Sequence, residues 1–481
     1  MKKLATTLLL SCLFLHSPGL LAHGLDDVAP WQQASPWPDR IVVTFNDNPA
    51  TSFAVTWRTS ESVTETIAQI AVASADARFD RNATTVSAKT ERLDLNSVLI
   101  DGVPHRTYWN AHIPPANFHS VSFRDLKPDT QYAYRVRGGH GAWSEWFQVR
   151  TANPEGPVRF VYLGDAQNGL LSHWSRLMRA AFSEAPKADF VLHAGDLVNR
   201  ASRDLEWAEW FKGVGFIHGM VPAIPVAGNH EYERLVNHQQ ESERLLSAVW
   251  RPQFTLPVDE GINPSLRETV YDVRYSKDLH VFVLASQQTS LLAEQAQWLD
   301  NKLTASDARW RVVTFHHPIY SSGKGRNSPE RRETLLPILN KHEVDLVLQG
   351  HDHTYARGEI KSQTPERFGS GARGDSVATM FVNSVSGPKQ YKFKDNRWDD
   401  YADTGVELKR FAENTQFFQI IEIDGDRLTY KAYTALGDIY DQFAMTKDGK
   451  GRKRMVIGVT STMEERRYDN TGAYDGVNDL K

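Results

Sequence analysis

Short apolar runs alternate with amphipathic stretches over most of this chain, from residue 157 to about residue 446. The apolar runs, rich in Val, Ile, Leu and Phe, predict strands at 159–163, 190–193, 224–227, 281–285, 312–315, 346–349, 379–385 and 417–428. The amphipathic stretches predict helices at 170–183, 204–212, 293–303 and 329–341. This alternation predicts an α/β core built from two sheets flanked by helices.

A different pattern precedes this core. Between residues 36 and 151, short stretches such as 52–57 and 131–136 alternate apolar and polar residues between turn signals, which predicts a small antiparallel β-sandwich. Residues 126–132 resemble the tyrosine corner of fibronectin type III domains, although another kind of β-sandwich fits the alternation too. Residues 154–157 (PEGP) form a natural linker, and residues 447–481 predict a loose polar tail.

Five polar segments begin where five of the predicted strands end. They are LGDAQ at 163–167, AGDLVN at 194–199, AGNHEY at 227–232, FHHP at 315–318 and QGHDH at 349–353. Strands of an α/β sheet bring such segments to one edge, where these folds place their chemistry. Glycines at 164, 195, 228 and 350 precede candidate ligands where the chain must turn sharply. Any one segment is weak evidence, but the five in order predict a single metal site.

The candidate ligands share oxygen or imidazole nitrogen donors and include no thiolate, a set suited to Mn, Fe, Zn or Co. They are Asp165, Gln167, Asp196, Asn229, His316, His351 and His353. Asp196 is the best candidate for a bridging carboxylate between two cations, which at about 3.5–4 Å apart can share a hydroxide and hold a phosphoryl group. His351 and His353, two residues apart on an extended chain, point the same way, whereas Asp352 points elsewhere and is free to orient a ligand.

His230, beside Asn229, is predicted to stabilise the transition-state oxygens or to protonate the leaving alkoxide, since imidazole titrates near about 6.5. The alternative is that His230 only fixes its loop through a hydrogen bond. His316 and His317 are adjacent, so that only one of them faces the site, and the spacing alone leaves both open.

Residues 321–332 bring four cationic side chains directly after the FHHP segment: Lys324, Arg326, Arg331 and Arg332. Cations at this place predict a phosphate clamp at the mouth of the site, with Lys324 and Arg326 as its members. A solvated helix start is the alternative explanation for the same charges.

Composition limits the partners. The 481 residues are 41% hydrophobic and 24% charged, which is ordinary globular material with room for two or three cores. A formal net charge of -4 provides no field that would recruit duplex nucleic acid or an anionic membrane surface. A small phosphorylated substrate must therefore be held locally, and the oligomeric state stays open.

Residues 1–22 predict an export signal, because two lysines precede an apolar core at 4–15 and Ala22 offers a cleavage site. The apolar core is shorter than the roughly 20 residues of a membrane span. A membrane anchor, or a lipoprotein acylated at Cys12, is the alternative. Cys12 is the only cysteine, so the mature periplasmic or secreted chain would contain no disulfide.

With these motifs the chain resembles the calcineurin-like metallophosphoesterase superfamily, and specifically bacterial relatives of purple acid phosphatases. The resemblance runs through residues 164–353, and residues 36–151 fit the fibronectin-like domain of those enzymes. It implies a two-sheet α/β (α+β) metallophosphoesterase domain at 157–446, and it selects His316 over His317. It further implies that one metal is held by Asp165, Asp196 and His353, and the other by Asp196, Asn229, His316 and His351.

Two positions depart from the family pattern. Purple acid phosphatases place a tyrosine where this chain has Asn199, so the Fe(III)-tyrosinate of those enzymes is not expected here. Many superfamily members place a histidine at Gln167, whose amide oxygen would be a weaker, neutral ligand. The resemblance implies two divalent or mixed-valence ions of Fe, Mn or Zn.

These features predict an exported metal-dependent phosphatase that hydrolyses phosphate monoesters through attack of a metal-bound hydroxide, with Asp196 and His230 as catalytic residues. A phosphodiesterase or nucleotide pyrophosphatase with the same metals is the first alternative. A surface-binding module, in which the metal domain only stabilises the chain, is the remote one.

Overall fold

The computed structural model describes residues 29–100, 102–104, 113–234, 244–361, 376–457 and 462–470. The predicted export signal at 1–22, including Cys12, lies outside them. Among the described residues, the helices are too short or too polar to cross a bilayer.

The amino-terminal part folds as two antiparallel layers, as its alternating pattern predicted. Its strands are β1 Asp39–Thr44, β2 Phe53–Thr59, β3 Ile67–Val72, β4 Thr84–Ser87, β5 Lys89–Leu93, β6 Leu99–Ile100, β7 Val103–Pro104, β8 Ala116–Phe123, β9 Gln131–Val136 and β10 Phe147–Arg150. One layer has the order β1-β2-β8-β5 and the other β10-β9-β3-β4, with Trp57 and Tyr134 buried between them. The Tyr132 hydroxyl accepts a hydrogen bond from the Lys127 backbone at 2.8 Å, the contact that a tyrosine corner predicts.

Two further sheets form the α/β core. Their strands are β11 Val158–Leu163, β12 Phe190–His193, β13 Ala223–Pro225, β14 Tyr232–Glu233, β15 Leu245–Leu246, β16 Tyr271–Arg274, β17 Leu279–Val283, β18 Trp310–Thr314, β19 Leu346–Gln349, β20 Tyr355–Ile360, β21 Thr379–Asn383, β22 Val406–Ala412, β23 Phe417–Asp424, β24 Arg427–Thr434, β25 Ile439–Lys447 and β26 Lys453–Ile457. One sheet contains β26-β25-β24-β23-β11-β12-β13, the other contains β16-β17-β18-β19-β21-β20-β22, and β14 pairs with β15. The predicted two-sheet α/β architecture is confirmed.

Helices cover the outer faces of these sheets. They are α1 Ser175–Glu184, α2 Asp204–Val214, α3 Ile217–Met220, α4 Trp250–Gln253, α5 Leu292–Ala305 and α6 Pro329–Lys341. A π-helical turn at Leu170–Trp174 leads into α1, and 3-10 turns lie at Phe79–Asn82, Gly139–Gly141, Asn229–Glu231, Pro264–Leu266, Thr289–Leu291 and Asp399–Thr404. All four predicted helices are therefore present, each within a few residues of its expected bounds.

The amino-terminal sandwich shares a sheet with the α/β core. Thr44 of β1 pairs in parallel with Ala223 of β13, so that β1-β2-β8-β5 extends the first core sheet to eleven strands within the described residues. Val42 and Phe45 accordingly pack in the same apolar cluster as Phe160 and Phe190 of the core. Two stretches that the sequence presents as separate cores thus form one continuous packed unit.

Two details differ from the predictions. The single apolar run at 417–428 forms two strands, β23 and β24, because Gly425 adopts a positive φ of 51° and allows a tight turn between them. The predicted loose tail is wrong for residues 453–457, which pair with β25. The Lys453 ammonium is buried there, 3.1 Å from the Asp345 carboxylate, and this ion pair attaches the strand to the core.

A buried ion pair joins the two core sheets. Arg357 on β20 donates two hydrogen bonds to the Asp441 carboxylate on β25, at 2.6 and 3.1 Å, and both side chains are at most 1% exposed. The Tyr355 hydroxyl donates to the same carboxylate at 2.7 Å. A buried ion pair is stable only if hydrogen bonds also satisfy its remaining polar atoms, and here protein donors satisfy the carboxylate.

We expect Arg357→Met to lower the free energy of unfolding by about 3–5 kcal/mol, because it leaves Asp441 buried and uncompensated. The matched control is Arg397→Met, which removes a solvent-accessible ion pair with Glu465. We expect it to lower the free energy of unfolding by about 0–1 kcal/mol. Urea unfolding measures both values. Equal losses in the two variants would contradict a structural role for the buried pair.

Candidate metal centre

Every predicted ligand lies at one edge of the paired sheets. Parallel strands β11, β12 and β13 are followed by loops that carry Asp165, Asp196 and Asn229. In the facing sheet, the loop after β18 carries His316 and the loop after β19 carries His351 and His353. The carboxyl ends of parallel strands meet at one edge, which is why segments up to 190 residues apart in the chain converge. The structure therefore brings together all the side chains that the five motifs single out.

Two ligand groups share Asp196. One comprises Asp196, His316 and His351, the other comprises Asp165, Asp196 and His353, and the ligand atoms of each group lie within 4.8 Å of one another. Asn229 belongs beside the first group, since its Oδ1 lies 3.2 Å from His316 Nε2. This is the grouping that the resemblance implied, with the Asp196 carboxylate between the two halves.

Hydrogen bonds outside the cluster orient the imidazoles. His316 Nδ1 lies 2.9 Å from the Ala194 carbonyl and His353 Nδ1 lies 2.8 Å from the Lys389 carbonyl. Each bond places the Nδ1 hydrogen on the outer side, so that Nε2 faces the carboxylates. His316 Nε2 is 3.1 Å from Asp196 Oδ2, and His353 Nε2 is 3.3 Å from Asp165 Oδ1. Such outer contacts are typical of metal-binding histidines.

His317 belongs to neither ligand group, although its ring packs against that of His351 with centroids 4.2 Å apart. Its Nδ1 lies 2.9 Å from the Ser286 hydroxyl. His316 is the member of the pair whose Nε2 faces a carboxylate, 3.1 Å from Asp196 Oδ2, which is the choice that the resemblance implied.

Two buried polar atoms in the cluster have no hydrogen-bond partner within the described residues: Asp165 Oδ1 and Gln167 Oε1. Unpaired buried oxygen is costly. His353 Nε2 lies 3.3 Å from Asp165 Oδ1 but forms no hydrogen bond to it, so a cation would satisfy both oxygens. Gln167 Nε2 lies 2.7 Å from Asp196 Oδ2 and 3.1 Å from His353 Nε2, so its amide sits within the second group. The donor set and these two oxygens fit a pair of bound cations.

Burial and neighbouring charges shift the pKa values of the cluster in opposite directions. Burial disfavours the imidazolium of His316, but the carboxylates of Asp196 and Asp165 raise its pKa to about 9. Burial likewise disfavours the Asp196 carboxylate, but the neighbouring imidazoles of His316 and His230 hold its pKa below the usual range. The two carboxylates thus favour a positive charge at His316, whereas burial and the neighbouring imidazoles of His317 and His316 lower the pKa of His351.

The backbone is strained where it carries these ligands. Asp165, Asp196 and His351 adopt positive φ values of 33°, 52° and 71°. Non-glycine residues with positive φ are uncommon and cluster at functional sites, where the surroundings hold them in place. At Gly228, a Cβ would lie 2.2 Å from Asp196 Oδ1, so the close approach of the two loops requires glycine.

His230 lies next to Asp196 at the edge of the cluster and is partly open to solvent. Its Nε2 is 3.8 Å from Asp196 Oδ2, and its side chain is 25% exposed. Its Nδ1 bonds the Asn199 main-chain carbonyl at 2.6 Å. Burial lowers the pKa of His230, an effect that the Asp196 charge opposes. Asn199 thus contributes a carbonyl that orients His230.

The four cations after the FHHP segment have different surroundings. Arg326 reaches the site: one guanidinium nitrogen contacts His351 Nε2, and Nε pairs with Asp352 at 2.6 Å. Lys324 instead pairs with the exposed Asp395. Arg331 and Arg332 donate to the Ser286 and Ile319 carbonyls. Arg326 is therefore the one of these four with a direct contact to a predicted ligand, whereas Lys324 has the solvated surroundings of the alternative explanation.

Glu231 was missed as a functional residue, although it belongs to the AGNHEY segment. Its buried carboxylate accepts backbone N–H groups of Asp196, Leu197, Val198 and Gly228 at 2.7–3.4 Å. The loops that carry Asp196 and Asn229 are thereby fastened to each other. Its place three residues after Gly228, next to His230, was the available signal.

A sixth loop, residues 384–391, was also missed. Its Gly387 N–H bonds the Asp165 carbonyl at 2.8 Å, and its Tyr391 ring stacks on His353 with centroids 4.5 Å apart. This loop follows β21 as the other five follow their strands, but it carries no Asp or His. Its position after a predicted strand was therefore the only signal.

Comparison with known proteins agrees with this geometry. Residues 158–355 match the calcineurin-like phosphoesterase family, and residues 38–151 match the purple acid phosphatase N-terminal domain. The two matches follow each other along the chain in the order that the motifs predicted. The resemblance inferred from the motifs is confirmed.

Several relatives are purple acid phosphatases. Purple acid phosphatase 21 of Arabidopsis thaliana is 28% identical over 247 residues, which cover 50% of this chain and 53% of that protein. Fe(3+)-Zn(2+) purple acid phosphatase 12 of the same plant is 27% identical over 261 residues, which cover 50% and 52%. The chain therefore spans about half the length of these curated relatives. The structure of purple acid phosphatase PPD1 from Lupinus luteus seeds shares the fold, with a TM-score of 0.67, 17% identity and coverage of 86% and 75%.

Iron-loaded protein is expected to show no tyrosinate-to-iron absorption band in the visible spectrum, because residue 199 is asparagine and offers no phenolate. The measurement is a visible spectrum recorded together with the iron content per chain. A purple, iron-containing preparation would contradict this prediction, since some other tyrosine would then have to bind the metal.

Proposed function

We propose that this protein is an exported, metal-dependent phosphoric ester hydrolase that cleaves phosphate monoesters. The observation that carries the proposal is the Asp196 carboxylate, which lies within both ligand groups and is positioned to bridge two cations. The calcineurin-like phosphoesterase match supports the reaction class. Export rests on the predicted signal at residues 1–22.

Asp165, Asp196 and His353, with Gln167, would hold one cation, and Asp196, Asn229, His316 and His351 would hold the other. When bound, the pair would acidify water to supply a nucleophile at neutral pH and would neutralise charge on the phosphoryl group. Oxygen and imidazole donors suit Fe, Mn or Zn. One relative is named as an Fe(3+)-Zn(2+) enzyme, which favours a mixed pair in this chain as well.

His230 would act on the leaving group or the phosphoryl oxygens. Its Nδ1 is occupied by the Asn199 carbonyl, so that Nε2 is the nitrogen turned toward the Asp196 side of the cluster. In its protonated form, which burial disfavours and the Asp196 charge favours, the imidazole can donate its Nε2 hydrogen to a departing alkoxide. The 25% exposure of the side chain leaves access for the alcohol portion of a substrate.

Arg326 favours a monoester over a diester. Its guanidinium lies against His351 and is oriented by the buried Asp352, which also accepts the Ser322 and Gly323 backbone N–H groups at 2.6 and 3.0 Å. A planar guanidinium pairs best with a group that presents two charged oxygens. Both ester classes present two such oxygens, but a monoester carries about -1.5 to -2 charges near neutral pH and a diester only one, so the guanidinium attracts the monoester more strongly.

Asp196→Asn is expected to lower kcat by at least about 10²-fold, because a neutral amide bridges cations poorly and their contribution is worth several kcal/mol. The measurement pairs hydrolysis of 4-nitrophenyl phosphate with metal analysis of the purified variant. Asp395→Asn, at the exposed partner of Lys324, is the matched control and should be as active as wild type. Undiminished turnover by Asp196→Asn would rule out the proposed bridge.

The ester class is tested by comparing 4-nitrophenyl phosphate with bis(4-nitrophenyl) phosphate. We expect kcat/KM to favour the monoester, and Arg326→Met to lower that value more for the monoester than for the diester. Loss of one charge-assisted contact costs about 1.5–3 kcal/mol, which corresponds to a roughly 10- to 150-fold lower kcat/KM for the monoester. A preference of the wild type for the diester would favour the phosphodiesterase alternative.

A further inference from the structure

We propose that Glu206, on the first turn of α2, is a positioning residue for His230. The Glu206 carboxylate fixes the loop whose carbonyl holds the imidazole. The inference rests on the proposed function, because it gives His230 a part in phosphoester hydrolysis, and it adds a residue that touches neither the predicted ligands nor the substrate.

Glu206 reaches back from α2 to the loop that follows the AGDLVN segment. Its Oε2 accepts the backbone N–H groups of Asn199 and Arg200, both at 2.7 Å. Its Oε1 pairs with Arg200 Nε at 3.1 Å and with Arg203 Nη1 at 3.3 Å. The side chain is 9% exposed, so these bonds form in a partly dehydrated place where charge-assisted hydrogen bonds are strong.

The same loop holds His230. The Asn199 carbonyl accepts from His230 Nδ1 at 2.6 Å, while the Asn199 N–H, on the other side of the residue, bonds Glu206. Glu206 and His230 thus hold one residue between them. A shift of that residue would rotate the imidazole and carry Nε2 away from its place 3.8 Å from Asp196 Oδ2.

Helix α2 provides a rigid base for this contact. Asp204, in the same turn as Glu206, accepts from Arg40 Nη2 at 2.7 Å and lies 3.4 Å from Arg58 Nη1. Arg40 and Arg58 belong to β1 and β2 of the amino-terminal sandwich, and the three side chains are at most 4% exposed. The sandwich therefore fixes the helix turn from which Glu206 extends, and the support reaches His230 through two hydrogen bonds.

A purely structural role for Glu206 is the competing explanation. Acidic residues in the first turn of a helix complement its dipole and need no functional reason. The two explanations differ in their consequences for chemistry. Loss of a dipole contact lowers stability, whereas a displaced His230 lowers the rate chiefly for substrates whose leaving group needs a proton.

The test compares Glu206→Ala and Glu206→Gln with Glu209→Gln on the same helix, whose carboxylate is bonded to the Leu171 backbone instead. Rates are measured with 4-nitrophenyl phosphate, whose leaving group departs unaided, and with an alkyl phosphate, whose leaving group must be protonated. We expect Glu206→Ala to lower kcat for the alkyl phosphate by about 10- to 100-fold, with a much smaller loss for the nitrophenyl ester. KM should change by less than about twofold, since the phosphate-binding groups are untouched.

Glu206→Gln should recover most of the rate, because its amide oxygen can accept both backbone N–H groups. Glu209→Gln should match wild type. In a His230→Ala background, Glu206→Ala should have no further effect, because both changes remove the same contribution. The proposal would be overturned if Glu206→Ala lowered kcat equally for the two substrates. It would also be overturned if Glu206→Ala lowered kcat as much in the His230→Ala background as in wild type.

A second readout does not depend on activity. Nitrogen-15 NMR of histidine-labelled protein follows the His230 Nδ1 hydrogen, which we expect to exchange with solvent at least about tenfold faster in Glu206→Ala than in wild type or Glu209→Gln. An unchanged exchange rate, in a variant with wild-type metal content, would overturn the positioning role. Wild-type protein that hydrolyses neither ester would instead overturn the proposed function. The NMR comparison would then still test whether Glu206 holds His230 in place through Asn199.

Discussion

The structure depends on the burial of the Asp196 carboxylate between two sets of ligands. A carboxylate that is 1% exposed is stable only if donors or cations surround it. Asp196 has three nitrogen partners: the His230 backbone N–H, the Gln167 amide and the His316 imidazole. The unpaired oxygens of Asp165 and Gln167 lie in the same place. Together they make the sheet edge a cation site, and the surrounding loops hold it in shape.

That requirement explains the local strain. Three of the candidate ligands adopt positive φ values. Glycine is required at 228 because its own loop passes directly against Asp196, with no space for a Cβ. Strain of this kind, of order 1–3 kcal/mol per residue, persists only where many contacts oppose it. Glu231 supplies four of those contacts from a single carboxylate, and the loop after β21 supplies others to Asp165 and His353. The site is consequently supported by residues that bind neither metal nor substrate.

The amino-terminal sandwich contributes to the same support. It extends a core sheet through the pairing of Thr44 with Ala223, and its two arginines hold the first turn of α2. From that turn the contacts continue through Glu206 and the Asn199 main chain to His230. A domain that carries no ligand of its own can therefore influence the geometry of the site, because charged groups buried between domains tolerate little displacement.

The sequence by itself determined the fold class, all four predicted helices, most of the strands that lead into the site, and the set of candidate ligands that the structure brings together. Apolar runs report burial, and Asp, Asn and His immediately after such runs report a sheet edge. It could not decide between His316 and His317 without the family pattern, and it could not separate Arg326 from Lys324, because neither choice leaves a trace in spacing. Only the tertiary structure decided these points, together with the roles of Glu206, Glu231 and the 384–391 loop. Their contacts involve main-chain groups: Glu206 and Glu231 accept main-chain N–H groups, and the 384–391 loop bonds main-chain carbonyls. A main-chain group has the same chemistry at every position, so packing alone chooses its partner.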